Sequence, residues 1–395
     1  MSGPLAGVRI LDLTSVVFGP LSTQILGDMG ADVIKIEGPE GDTTRYTGPA
    51  RSADMAALFM GVNRSKRSLV LDLKQPGAKD ALWRLIESAD VFVHSMRPQK
   101  IAALGFPQET VRNQNPRIIY AGLHGYLTGG PYSGQPAYDD VIQGQAGVAA
   151  LMAQIAGEPR YAPMILADKT CALAAANAIS AALFARERTG RGQFIEIPMF
   201  ETMVSFVLTE HLCGHTFVPP EAPAGYARVL APWRRPYKTK DGHICVLAYT
   251  DPQWQKFWTA VGRPDLADDA RFDTLSSRSR NIAELYRLAG DCLVDRTTDA
   301  WLPIFQDLEI PAARISSLED LWHNPHLIKI AFFKQVKHPT EGEIVVPDMA
   351  VRFSDTPASI ERLQPKLGEH GREVLGEAGL SDREIEKLVA SGATR

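Results

Sequence analysis

The chain has 395 residues, 45% hydrophobic and 22% charged, with a formal net charge of −4. That length predicts more than one domain and enough buried surface to fold without a metal or disulfide staple, and the slight negative charge excludes a nucleic-acid footprint. The four cysteines (Cys171, Cys213, Cys245, Cys292) form no C-x-x-C pair, the first residues lack a signal-peptide pattern, and no apolar run reaches the ~18 residues of a membrane span. A cytoplasmic protein with reduced thiols and no membrane or nucleic-acid partner is expected.

Val8 to Leu13 is an apolar run of strand length, and Pro20 opens a helical segment ending near Gly30. Ala31 to Glu37 and Ser68 to Leu73 read as further strands. Pro76 suits a helical first turn, followed by Leu82, Leu85 and Ile86 on one face. Asp90 to Ser95 and Arg117 to Leu123 are the next strands. This alternation predicts an α/β fold with a parallel sheet, Rossmann-like in wiring. Gly19, Gly27 and Gly30 do not make a G-x-G-x-x-G after a strand, so no dinucleotide site is expected.

Asp168 to Arg188 is Ala-rich and predicts a long helix, stopped by Thr189-Gly190-Arg191-Gly192. Gln193 to Phe200 reads as a strand leading into another apolar helix. The proline-rich stretch 216–232 is the clearest linker, and Lys240 to His243 is a turn between strands. Trp254 to Val261 and Ile282 to Val294 predict helices of a smaller mixed α+β domain. The tail carries a strand near Ile344 to Val346 and a helix from Asp382 to Ala390. The expected division is 1–205 as a large domain, 206–232 as linker, 233–325 as small domain and 326–395 returning to the large one.

Asp168 is the main chemical candidate. Aspartate is a preferred N-cap, so a purely capping role fits. A carboxylate at a helix N-terminus also gains ~0.3–1 kcal/mol from the dipole and stays ionised, as a carboxyl nucleophile requires. The residues alone leave both readings open. His211 and His215 have i, i+4 metal-ligand spacing but lack the following Glu and a third ligand, so no metal site is expected. His323 and His326 flank a turn, and Cys171, one helical turn after Asp168, reads as a buried thiol.

Several segments together resemble the family III coenzyme A transferases, which include formyl-CoA transferase, carnitine CoA-transferase and the α-methylacyl-CoA racemases. They are Pro4 to Thr14 with Gly19-Pro20, Leu26 to Glu37, Asn63 to Ser68 with Leu71 to Lys74, Pro116 to Tyr120 with Gly125-Tyr126, and Arg188 to Gln193. The resemblance is dense over 1–205 and looser over 225–395. It implies a Rossmann-like large domain built from both chain ends, a smaller domain, and a homodimer of two interlocked rings. It also implies an acyl-CoA:carboxylate CoA-transferase in which Asp168 passes through an aspartyl anhydride and an aspartyl-CoA thioester. Coenzyme A thioesters and small carboxylic acids are then substrates, and no cofactor is needed.

The family's coenzyme A contacts carry over onto Val17, Phe18, Leu71, Lys74, Ser95, Met96, Arg97, Tyr138 and Asp139. Three positions depart from formyl-CoA transferase: Gly38 and Ala103 replace arginines, and Pro136 replaces a lysine. Arg234 and Arg235 follow the linker and are candidates for holding a second substrate carboxylate, which would favour dicarboxylic acids. The alternatives are a 2-methylacyl-CoA racemase and a non-catalytic thioester-binding protein. Racemases of the family carry a histidine where Tyr138 stands and a glutamate where Asp251 stands.

Overall fold

In the computed structural model, which describes residues 2–395, the strands follow from the apolar runs noted above. The first sheet contains β1 (Arg9–Leu13), β2 (Asp32–Glu37), β3 (Lys66–Val70), β4 (Val91–His94), β5 (Ile119–His124) and β6 (Phe194–Pro198). All neighbours pair in parallel, in the order β3-β2-β1-β4-β5-β6. Strands of a parallel sheet covered on both faces read as unbroken apolar runs, and every residue of β2 to β5 is buried. The strand order reverses between β1 and β4, which leaves a crevice at their carboxyl ends.

The chain divides into two compact units: the chain up to Ala149 with Tyr161–Phe206 and Ala331–Arg395, and Ala150–Arg160 with Val207–Ile330. The first contains the parallel sheet and a hairpin of β10 (Phe333–His338) and β11 (Gly342–Pro347). The second has an antiparallel sheet of β7 (Tyr237–Lys238), β8 (His243–Val246) and β9 (Ala312–Arg314). Its aromatic core includes Trp254, Phe257, Trp258, Trp301 and Phe305. No helix among the described residues is long and apolar enough to cross a membrane.

Buried ion pairs frame the first unit. Lys66 Nζ lies 3.0 Å from Asp12 Oδ2, with both side chains fully buried. Lys35 Nζ meets Asp42 Oδ2 at 3.0 Å, and Arg45 meets Glu37 at 2.7 Å. Burial works against the Asp12 charge, but the Lys66 and Lys35 ammoniums hold its carboxyl down at about 2. Burial and the like charge of Lys35 lower Lys66 to about 8. Arg67 reaches across the chain to Glu373 and Glu377, each at 2.8 Å, and Thr394 Oγ1 donates to the Val70 carbonyl at 2.6 Å. The Asn63 to Ser68 segment is therefore mainly structural: its charges satisfy acids on β1, β2 and the C-terminal segment, which also moves the start of β3 to Lys66 from the expected Ser68.

Candidate active site

The crevice at the switch point is a cleft of about 570 Å³ within the first unit, lined from the ends of β1, β2, β4 and β5. Its floor loop, just after β1, is held by the buried ions beneath it. The Thr14 backbone N–H donates to Asp12 at 2.9 Å, Lys35 Nζ donates to the Thr14 carbonyl at 3.1 Å, and Ser15 N–H donates to Ser95 Oγ at 3.1 Å. Val16 has a left-handed backbone (φ 71°), and its N–H donates to the Asp42 carboxylate at 3.2 Å. Gly19 is required by close approach, since a Cβ there would sit 2.2 Å from the Thr14 side chain. At Gly125 a Cβ would meet the Ala137 Cβ at 2.4 Å, so this glycine lets the loop carrying Tyr138 pack against the end of β5.

Asp168 lines the same cleft and is 7% exposed. The helix that carries it is Leu166–Thr189, with Ile165 at the N-cap position and no side-chain cap. Asp168 therefore sits inside the first turn, which removes the capping explanation open in the sequence. Its backbone N–H donates to Asp139 Oδ1 at 3.0 Å, so Asp139 supplies from another helix the acceptor that the N-cap lacks. Burial, together with the negative charge of Asp139, pushes the Asp168 carboxyl up to about 7. The helix dipole does not keep it in the ordinary carboxylate range; desolvation outweighs it.

Phe18, Ser95, Met96, Arg97 and Tyr138 join Asp168 in the lining, whereas Val17, Leu71, Lys74 and Asp139 lie outside it. Val17 and Leu71 are buried, Lys74 is exposed, and both Asp139 oxygens accept hydrogen bonds within the protein. Gly38 and Pro136 line the cleft, and nothing lies within 4 Å of a Cβ built on Gly38. The cationic residues of the lining are Arg97 and Lys100, both exposed, at the start of the Pro98–Leu104 helix. Arg234 and Arg235 line a different cavity of about 500 Å³ in the second unit, beside Tyr237 and Tyr286.

The remaining candidates resolve into structural roles. Burial, with Asp168 and Asp139 nearby, pushes the Cys171 thiol up to about 12, too high for a thiolate nucleophile. His211 Nδ1 accepts the Tyr226 N–H at 3.2 Å, and Asn324, between His323 and His326, caps the Pro325–Lys329 helix. Among the described residues no three His, Cys, Asp or Glu side chains are grouped to hold a metal.

Sequence reasoning missed Gln143, Lys100 and His124. Gln143 is fully buried, and its spacing of i, i+4 from Asp139 was the available signal, on a helix (Asp139–Gln145) that the sequence expectations did not include. His124 Nδ1 lies 2.8 Å from Glu196 in the cleft wall.

The model of CoA-transferase family III matches residues 5–371. The chain is 34% identical to the mouse (Mus musculus) succinyl-CoA:glutarate CoA-transferase, covering 98% of this chain and 90% of the relative. It is 33% identical to the succinyl-CoA:mesaconate CoA-transferase of Haloarcula hispanica, over 96% of this chain and 97% of that one. Among solved structures, Rv3272 from M. tuberculosis superposes with a TM-score of 0.82 at 31% identity, covering 94% of this chain and 99% of that chain.

Proposed function

The chain belongs to CoA-transferase family III, and we propose that it exchanges coenzyme A between succinyl-CoA and a small dicarboxylic acid, with Asp168 as the nucleophile. The observation that carries this reading is a nearly buried carboxylate with no side-chain cap to make, facing a cleft whose cations are Arg97 and Lys100. The acid class follows the relatives, whose names give glutarate and mesaconate as acceptors.

Ionised Asp168 attacks the thioester carbonyl, the C–S bond breaks, and coenzyme A leaves as thiolate. The thiolate attacks the Asp168 acyl carbon of the mixed anhydride, releases the first acid and leaves an aspartyl-CoA thioester. The incoming carboxylate attacks that thioester, regenerating an anhydride and the thiolate. The thiolate then takes the new acyl group and frees Asp168. Every step trades one activated acyl bond for another, so water must be excluded. Arg97 and Lys100 suit the phosphate groups of coenzyme A, in place of the cations missing at Gly38, Ala103 and Pro136. Phe18, Ser95, Met96 and Tyr138 are the other expected coenzyme A contacts in the lining.

A homodimer, interlocked as the family resemblance implies, belongs to the same reading. Leu173 and Phe184 on the Asp168 helix are each 63% exposed and Phe206 is 52% exposed, large apolar groups that a second copy would cover. The test of the chemistry is trapping. Protein incubated with succinyl-CoA and then hydroxylamine should carry a hydroxamate at Asp168 in the digest, and Asp168→Ala should lose both the adduct and transfer to glutarate. Transfer at the wild-type rate by Asp168→Ala would overturn the mechanism.

A further inference from the structure

Gln143 is fully buried in the Asp139–Gln145 helix, and all its polar capacity is spent on one neighbourhood. Its Nε2 donates to Asp139 Oδ2 at 2.5 Å and to the Met164 carbonyl at 3.3 Å, while its Oε1 accepts the Ala162 N–H at 2.9 Å. Asp139, so held, accepts the Asp168 N–H through its other oxygen. The segment running into the Asp168 helix is thus pinned at Ala162, Met164 and Asp168 by two side chains one helical turn apart. A buried amide with every partner satisfied fixes geometry well, because any displacement strands several polar groups at once.

We propose that Asp139 and Gln143 act as positioning residues: they hold the first turn of the Asp168 helix and set a second carboxylate beside the one that reacts. This rests on the reading of Asp168 as nucleophile. Beside Asp168 stand Asp139 from the neighbouring helix and Cys171 one turn on, and His124, Glu37 and Asp42 also line the cleft. His124 is engaged by Glu196, and Lys169 is exposed. Asp139 is the only charged group among these whose field raises the Asp168 carboxyl.

Two conservative variants separate this from a merely structural role. In Asp139→Asn the amide oxygen still accepts the Asp168 N–H, but the charge is gone. In Gln143→Glu the acceptor for Ala162 remains, and the new carboxyl, buried against Asp139, keeps its proton and replaces the amide as donor. The probe is a water-soluble carbodiimide with a tagged amine, applied across a pH series. Label on the Asp168 peptide is quantified by mass spectrometry and normalised to exposed carboxylates in the same digest. Labelling of the wild type should fall with a midpoint near 7. The midpoint should move down by about one pH unit in Asp139→Asn and stay near the wild-type value in Gln143→Glu. The acid limb of kcat/KM for succinyl-CoA with glutarate should move the same way. A common midpoint in all three proteins overturns the proposal, whether or not the chain turns over succinyl-CoA. A downward shift confined to Asp139→Asn, without any transfer activity, upholds the bracket and overturns the chemistry assigned to Asp168.

Discussion

Replacing Asp168 by Asn should stabilise the protein, and should do so only where the carboxyl would be forced to ionise. In the folded chain this carboxyl titrates at about 7 rather than its usual 3.8, through burial and the charge of Asp139. The folded state therefore holds a proton that the unfolded state has lost between those two values. Stability is intact below the unfolded pKa, declines as pH rises, and reaches its full deficit above about pH 7. At about 1.4 kcal/mol per pH unit the deficit is at most about 4 kcal/mol, and relaxation of the cleft will make it smaller. Asn has the same shape and no charge, and Asp168 makes no side-chain cap whose loss would offset the gain. Thermal unfolding of wild type and Asp168→Asn, followed by near-ultraviolet circular dichroism, should show a higher Tm for the variant at about pH 8 and a difference shrinking toward zero near pH 4. An Asn variant less stable at about pH 8, or a Tm difference independent of pH, would refute the assignment of a strained, nearly buried carboxylate.

Arg97→Ala and Lys100→Ala should each raise KM for succinyl-CoA by roughly 3–10-fold with kcat nearly unchanged, because an exposed cation meeting a phosphate contributes about 1 kcal/mol; steady-state kinetics at two salt concentrations checks both. Sedimentation at nanomolar protein should still show a dimer, since interlocked rings separate only on unfolding; a micromolar monomer–dimer equilibrium would argue against interlocking. Incubation with a 2-methylacyl-CoA in D₂O should give little α-deuterium. Tyr138 stands where a racemase would carry an imidazole, and Asp251 is ion-paired with the nearly buried Arg278; rapid exchange with inversion would favour the racemase.

The parallel sheet was legible because its strands are apolar runs spaced by helices of ordinary length. The boundaries that shifted did so for non-local reasons. Lys66 and Arg67 look like a polar lead-in to β3, yet both are buried in the strand because Asp12 and Asp32, far off in sequence, neutralise them. The expected strand from Gln193 to Phe200 ends at Pro198, and Met199 begins a helix. The place of Asp168 ahead of an Ala-rich helix made it a candidate without deciding between cap and nucleophile, and its surroundings were not legible, since its acceptor Asp139 is 29 residues away. Arg234 and Arg235 show the opposite failure: adjacency to a linker says nothing about which cavity a side chain lines.

The raised Asp168 carboxyl bears on how the proposed chemistry starts. An ionised carboxylate in this cleft is held at high free energy by lost hydration and by Asp139, and the buried cations beneath the sheet end are committed to other acids. Lys35 faces Asp42, Lys66 faces Asp12, and Arg45 faces Glu37. Attack on a thioester converts that carboxylate into a neutral acyl group, so the burial penalty is relieved as the new C–O bond forms, while the negative charge moves to the departing thiolate. The same burial that lowers the ionised fraction at neutral pH thus makes the ionised form a stronger nucleophile, because nucleophilicity rises with basicity. A pKa near the working pH is where these two effects balance. A cation placed against Asp168 would lower its pKa and raise the ionised fraction, but it would stabilise the ground state that attack must leave. The cations of the cleft are instead Arg97 and Lys100, on the loop and helix after β4, where they can hold the ligand without quenching the proposed nucleophile.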